Sequence, residues 1–152
     1  MSYSKGFVFG LFFFALVGSA NAADLDYGKV KVKIEGIKKE KGEVGTAIFS
    51  TKKGYPVHID QAYEAEWVPL QGEKSLQVMF DGLPAGEYAV SVLHDENGNR
   101  KMERSTLGFP KEGVGFSNDQ KVVLSSPKFE KCKFTIAEGE EKEVLIKLDY
   151  RD

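Results

Sequence analysis

The stretch that decides the fold runs from Asp81 to Asn118, DGLPAGEYAVSVLHDENGNRKMERSTLGFPKEGVGFSN. It opens on a tight turn. Pro84 fixes its φ near the value wanted early in such a turn, and Gly82 and Gly86 supply positive φ at no steric cost. Tyr88-Ala-Val-Ser-Val-Leu follows, apolar at nearly every position, which is the pattern of a central strand buried on both faces. That strand delivers His94 and Asp95 to a loop dense in carboxylate and amide oxygens, after which Gly108–Asn118 mixes glycines with Phe109 and Phe116. No reaction and no ligand follows from the stretch alone.

Outward from it, the other segments read as shorter strands. Lys29-Val-Lys-Val-Lys-Ile-Glu alternates charged and apolar residues, with Val30, Val32 and Ile34 on the core side. Val44–Ser50 is a second strand, expected to form a hairpin with the first because the connection is too short for a crossover. Leu76–Phe80, Lys121–Leu124, Phe129–Ile136 and Glu143–Tyr150 add four more, the last with Val144, Ile146, Leu148 and Tyr150 inward. Thr51–Gln71 is the least legible part; its spacing allows about two helical turns at Ile59–Trp67. About seven short strands and no long amphipathic helix predict an all-β antiparallel sandwich.

The chain has 152 residues, enough for one domain with a single core. Lys5, the apolar run Gly6–Val17, and Ala20 and Ala22 before the cut predict a signal peptide over 1–22 and a single domain over 23–152. The run is short for a bilayer span, so no membrane span is expected after cleavage. Ala23 stands where a lipoprotein would need cysteine. The expected location is therefore periplasmic or secreted. A net charge of −2, with both signs mixed in every charged run, gives no footprint for nucleic acid. Cys132 is the sole cysteine, so no internal disulfide holds the domain; it reads as a small apolar strand residue.

Three candidate sites come from the residues. Asp95, Asn97 and Asn99 place oxygens at alternate positions, as the first half of a calcium loop does, with Glu103 further on; calcium, weakly held, is the cation such hard ligands would take. Arg100 stands where that loop wants glycine, and Asp, Asn and Gly are also simply what turns are made of. Phe109 and Phe116 form either a ligand wall or a loop folded back over the core. His94 is the one candidate base for a small cell-envelope hydrolase, with Ser91, Ser105, Ser117 and Cys132 as nucleophiles to weigh. None of these sits in a Gly-x-Ser-x-Gly elbow, and neighbouring His94 and Asp95 leave a strand by opposite faces. Zinc would need more than His58 and His94. The first expectation is a non-enzymatic module that binds a glycan, an envelope component or a protein through the loops after the central strand.

Gly82-Leu-Pro-Ala-Gly-Glu-Tyr-Ala-Val, His94-Asp-Glu-Asn-Gly-Asn, Leu107–Asn118 and Pro127-Lys-Phe-Glu, in that order, resemble the DUF2141 family of bacterial exported proteins. The resemblance spans about Val30 to Tyr150. It implies an exported sandwich similar to transthyretin-like and carboxypeptidase-regulatory-like modules, with no established activity. In the family pattern the acidic loop reads Asp-x-Asn-x-Asn-Gly-Lys-x-Asp; Asp95, Asn97, Asn99 and Lys101 match, while Arg100 replaces the glycine and Glu103 the last aspartate.

Overall fold

The structure is a computed structural model that describes residues 26–151. The expected signal peptide lies outside the described residues. Among the described residues, eight strands form two packed sheets. They are β1 (Gly28–Glu35), β2 (Glu43–Phe49), β3 (Glu64–Pro69), β4 (Ser75–Leu83), β5 (Gly86–Asp95), β6 (Gly113–Phe116), β7 (Phe134–Ile136) and β8 (Glu141–Lys147). One sheet has the order β4-β1-β8, the other β3-β2-β5-β6, with β7 also paired to β5. The all-β sandwich expected from strand count and alternation is what forms.

The central strand is β5. It pairs over Ala89–Asp95 with β2 on one side, and with β6 at Ser91–His94 and β7 at Gly86–Tyr88 on the other. Flanked on both edges and covered on both faces, it has no place for a polar stripe, which is why its sequence does not alternate. Between the sheets, Val30, Val32 and Ile34 of β1 meet Val78 and Phe80 of β4, Val144 and Ile146 of β8, and Val44, Ile48, Val90 and Val92 of the facing sheet. Each aliphatic side chain taken fully from water here contributes about 1.5–3 kcal/mol. On the far side of the second sheet, Ala47, Phe49, Ala89, Val114 and Phe116 form a smaller cluster under Val122, Phe129, Cys132 and Tyr55.

Several expectations about individual elements are corrected. β1 and β2 are not a hairpin; they belong to different sheets. The turn between them carries the chain across the sandwich, and β1 instead takes β4 antiparallel and β8 parallel. The parallel pairing is possible because the whole domain serves as the crossover between them. Ile59–Trp67 is not two helical turns. Ile59–Gln61 is a single 3-10 turn and Glu64–Pro69 is an edge strand along β2, whose Ala65 and Trp67 share one face. Lys121–Leu124 is a loop. Asn118 and Asp119 both take positive φ (59° and 51°), which turns the chain away from the sheet after β6.

Phe129–Ile136 is divided into a helical turn, α1 (Phe129–Cys132), and β7. The turn holds because its carbonyls find donors: Ser117 Oγ donates to Cys132 at 2.7 Å, and Asn118 Nδ2 to Lys133 at 2.9 Å. β6 was hidden in the Gly-rich segment. A Cβ at Gly115 would stand 2.4 Å from the Ile146 side chain, so glycine is what lets β8 cross so close under β6. The chain after β8 then bridges the sheets, with Val114 and Asp149 exchanging N–H···O bonds of 3.0 and 2.8 Å.

Candidate functional site

On the outer face of the second sheet, the half near β6 is filled by the aromatic cluster, and the half near β3 is not. The difference is written in side-chain size. Gly45, Ala47, Ala65 and Ser91 are the outward residues of β2, β3 and β5 here, and they leave a slot of about 200 Å³ floored by strand backbone and Leu93. Pro56, Val57 and Ile59 from the segment after β2 wall one side, and Arg100, Lys101 and Met102 from the loop after β5 stand at another. Trp67, the single tryptophan of the chain, closes the β3 side. Its ring lies over Gly45, where a Cβ would sit 2.6 Å from ring carbons. Any larger residue at 45 would therefore push the indole away from the sheet.

The rim is organised by Asp95. Register places Glu43 of β2 directly across from Asp95, and Glu112 stands just before β6, one position beyond the His94–Gly113 pair. Three carboxylates thus lie in a row on one face, a repulsive arrangement unless each is compensated. Asp95 is fully buried, and its Oδ1 accepts N–H bonds from Gly98 at 2.8 Å, Asn97 at 3.2 Å and Asn99 at 3.3 Å. Oδ2 accepts from Arg100 N–H at 2.5 Å. This winding of the loop around one carboxylate puts Arg100 at φ 55° and aims its side chain back over β2. There its Nε and Nη2 donate to Glu43 at 2.7 and 3.0 Å, and the guanidinium carbon lies 5.2 Å from the Trp67 ring centre. Such a cation over an indole face is worth about 0.5–1 kcal/mol at an exposed site.

Glu112 is compensated least. One oxygen accepts Glu96 N–H at 3.0 Å, while Oε2 is buried with no partner. Burial foremost, and then the charges of Asp95, Glu103 and Glu96, hold its carboxyl above the usual range.

The four residues expected to hold a cation are neighbours in this loop, but most of their oxygens are turned to N–H groups. Asn97 Oδ1 accepts Asn99 N–H at 3.0 Å, Asn99 Oδ1 accepts Lys101 N–H at 2.8 Å, and Glu103 Oε1 accepts Asn99 Nδ2 at 3.0 Å. Among the described residues no three His, Cys, Asp or Glu side chains converge closely enough to hold a metal ion. Phe116 is buried in the outer cluster and Phe109 packs against it, with the Arg151 guanidinium 5.7 Å over the Phe109 ring. Neither lines the slot.

His94 is fully buried, and both ring nitrogens are engaged. Nε2 lies 2.8 Å from the Lys41 carbonyl, which can only accept, so Nε2 carries the proton. Nδ1 then accepts from Tyr150 O–H at 2.7 Å, and that hydroxyl in turn accepts Lys38 N–H at 3.1 Å. The chain of bonds ties the β1–β2 turn and the C-terminal segment to the end of β5. Ser91 Oγ donates to the Pro56 carbonyl at 3.0 Å, and Ser117 Oγ is spent on backbone. Burial pushes the Cys132 thiol up, away from thiolate chemistry.

The slot was not found from sequence. The signal for it is the run of small residues on one face of β2, Gly45 and Ala47, set against large Val44 and Ile48 on the other. That contrast has meaning only once the outer face is known to be covered by loops.

No curated protein and no solved structure matches the chain. The family described as an uncharacterized protein conserved in bacteria, DUF2141, matches residues 32–144. With three quarters of its length inside that match, from the middle of β1 to β8, the chain belongs to the DUF2141 family.

Proposed function

We propose that the protein is an exported, non-enzymatic binding module whose ligand inserts a ring-sized apolar group into the slot between Trp67 and the loops after β2 and β5. The observation that carries this reading is the slot itself. Its 200 Å³ compares with the roughly 150 Å³ cavity that accepts benzene in an engineered core. Its lining is mostly aliphatic, backbone and indole, with few polar groups, the usual make-up of a small-molecule site.

The rim adds a charge preference. Arg100 is neutralised by Glu43, whereas Lys101 makes no ion pair among the described residues. An anionic substituent on the ring-bearing ligand would meet Lys101 at the mouth. This fits an envelope component or small metabolite of that chemistry better than a neutral glycan, whose hydroxyls need more polar partners than the slot offers.

The alternative, an envelope hydrolase working through His94, finds less support. A general base must reach the proton it removes, and the His94 ring is held by Tyr150 and Lys41 with no serine or cysteine at either nitrogen. Calcium enters as a separate, weaker property of the Asp95–Glu103 loop, favoured by the unpartnered Glu112 Oε2 beside it. Melting with calcium at about ten millimolar against chelator tests it, a rise of a few degrees being the expected sign.

Because Trp67 is the sole tryptophan, occupancy of the slot is read directly from intrinsic emission. Titration with anilinonaphthalene sulfonate and with benzoate should change Trp67 emission saturably. Emission that stays constant, or changes without saturating, would remove the reading.

A further inference from the structure

Leu107, Val123 and Leu124 are 81, 70 and 90% exposed, the most exposed large apolar side chains among the described residues. They sit at the tips of two loops that are held in place. Phe109 and Val122 anchor the loops in the outer cluster. Arg104 ties one loop to the other, donating to the Gly108 carbonyl at 2.9 Å and to Ser126 Oγ at 3.1 Å. Exposed aliphatic residues on fixed loops carry a standing cost in water, and the same loops carry a local charge of the opposite sign to the chain. Segments 101–111 and 119–131 hold six basic residues against three acidic ones, in a protein of net charge −2.

Two of the three acidic residues are already engaged, Asp119 by Lys121 and Glu130 by Lys133. Lys111, Lys128 and Lys131 make no ion pair among the described residues. A shallow groove of about 440 Å³ beneath the second loop is lined by Lys121, Lys128, Lys131, Ser125, Ser126 and Leu124 together with one carboxylate, Asp119, which is paired to Lys121.

We propose that this face docks onto a lipid bilayer bearing anionic headgroups, with Leu107, Val123 and Leu124 entering the interface and the lysines meeting the headgroups. The pairing of aliphatic insertion with cationic contact is the logic of interfacial anchoring. A protein partner is less well matched, because the tips are separate aliphatics and the face offers none of the exposed Trp, Tyr or free Arg that anchor protein interfaces. Among the described residues no helix is long and apolar enough to cross a membrane, so the contact is a surface one for the part of the chain described.

The test is co-sedimentation of the protein, as recovered from a bacterial host, with vesicles of equal parts phosphatidylglycerol and phosphatidylcholine, and with phosphatidylcholine alone. Binding is expected to the anionic vesicles and to weaken as salt is raised. Leu107→Ser and Leu124→Ser should each lower it by about tenfold, from the lost transfer of one leucine side chain, and Lys128→Glu by several-fold. All three positions are on the surface, so circular dichroism and Trp67 emission should be unchanged, and the slot titration gives an independent reading. Failure to bind anionic vesicles, or binding that the two leucine variants leave intact, overturns the proposal. Equal binding to dextran sulfate without dependence on the leucines would assign the face to a soluble polyanion and overturn it as well.

Discussion

The inner and outer faces of the β3-β2-β5-β6 sheet use the same strands for different ends. Inward, Val44, Ile48, Val90 and Val92 interdigitate with β1, β4 and β8, and every large position is filled. Outward, Gly45, Ala47, Ala65 and Ser91 withhold volume, and irregular segments supply the cover. A close-packed face stabilises; a face of small residues under loops leaves space for something else. Stability should therefore respond most to the inward residues and binding to those that line the slot, with the buried rim carboxylate Asp95 serving both.

The largest effect is expected inside. Phe80 is fully buried between the sheets, and Phe80→Ala should cost about 3–5 kcal/mol and lower Tm by about 10 °C or more in thermal melts. If the outer cluster rather than the inner one carried the fold, this variant would melt near the native protein.

Next is the rim. Asp95→Ala removes the acceptor of four backbone N–H bonds at a buried position, and should cost about 2–3 kcal/mol. It should also shift Trp67 emission, because Arg100 loses the loop that aims it. A destabilised variant with native Trp67 emission would break the link between the acidic loop and the slot.

A gain of about 1 kcal/mol is expected from Thr46→Val. Thr46 points to the inner side of β2 and its buried Oγ1 has no partner, so a methyl of the same shape removes a polar group from a face meant for packing. No gain on chemical denaturation would mean the hydroxyl is solvated.

The smallest effect concerns charge. Glu112 titrates above the usual carboxylate range, mainly from burial, so its ionised form costs the folded state stability. That cost is absent at low pH, begins as pH rises past the ordinary carboxylate value, and is complete above the raised one. Glu112→Gln should therefore melt slightly higher than the native protein at neutral pH, with the gap closing on acidification toward about pH 4.5. A gap that widens in acid would reverse the assignment.

The inner face was legible in the sequence and the outer face was not, for a physical reason. Period-two alternation in β1 and β8, and the unbroken apolar run of β5, report burial against another sheet, so the sandwich could be read from Val30, Val32, Ile34 and their counterparts. What covers the outer face is not periodic. Val122 and Phe129 look like strand residues, yet Asn118 and Asp119 turn the chain off the sheet and make them a loop plug. The spacing of Ile59–Trp67 allows helical turns, while edge pairing with β2 makes Glu64–Pro69 a strand. The acidic loop was visible as a cluster of oxygens. That the oxygens face backbone N–H groups, and so aim Arg100 at Trp67, depends on a coil no spacing rule encodes.

Binding in the outer slot should depend on the space beside Trp67 that Ala65 leaves open, and Ala65→Leu removes that space. Ala65 is exposed on edge strand β3 with its side chain toward the slot, so leucine should fill the space while changing stability by no more than about 0.5 kcal/mol. The native protein should show a saturable change in Trp67 emission with anilinonaphthalene sulfonate, and the variant, equally stable, should lose it by about tenfold or more in affinity, as expected for blocking a ring-sized contact. Equal affinity in the two proteins would mean that the ligand does not occupy the slot.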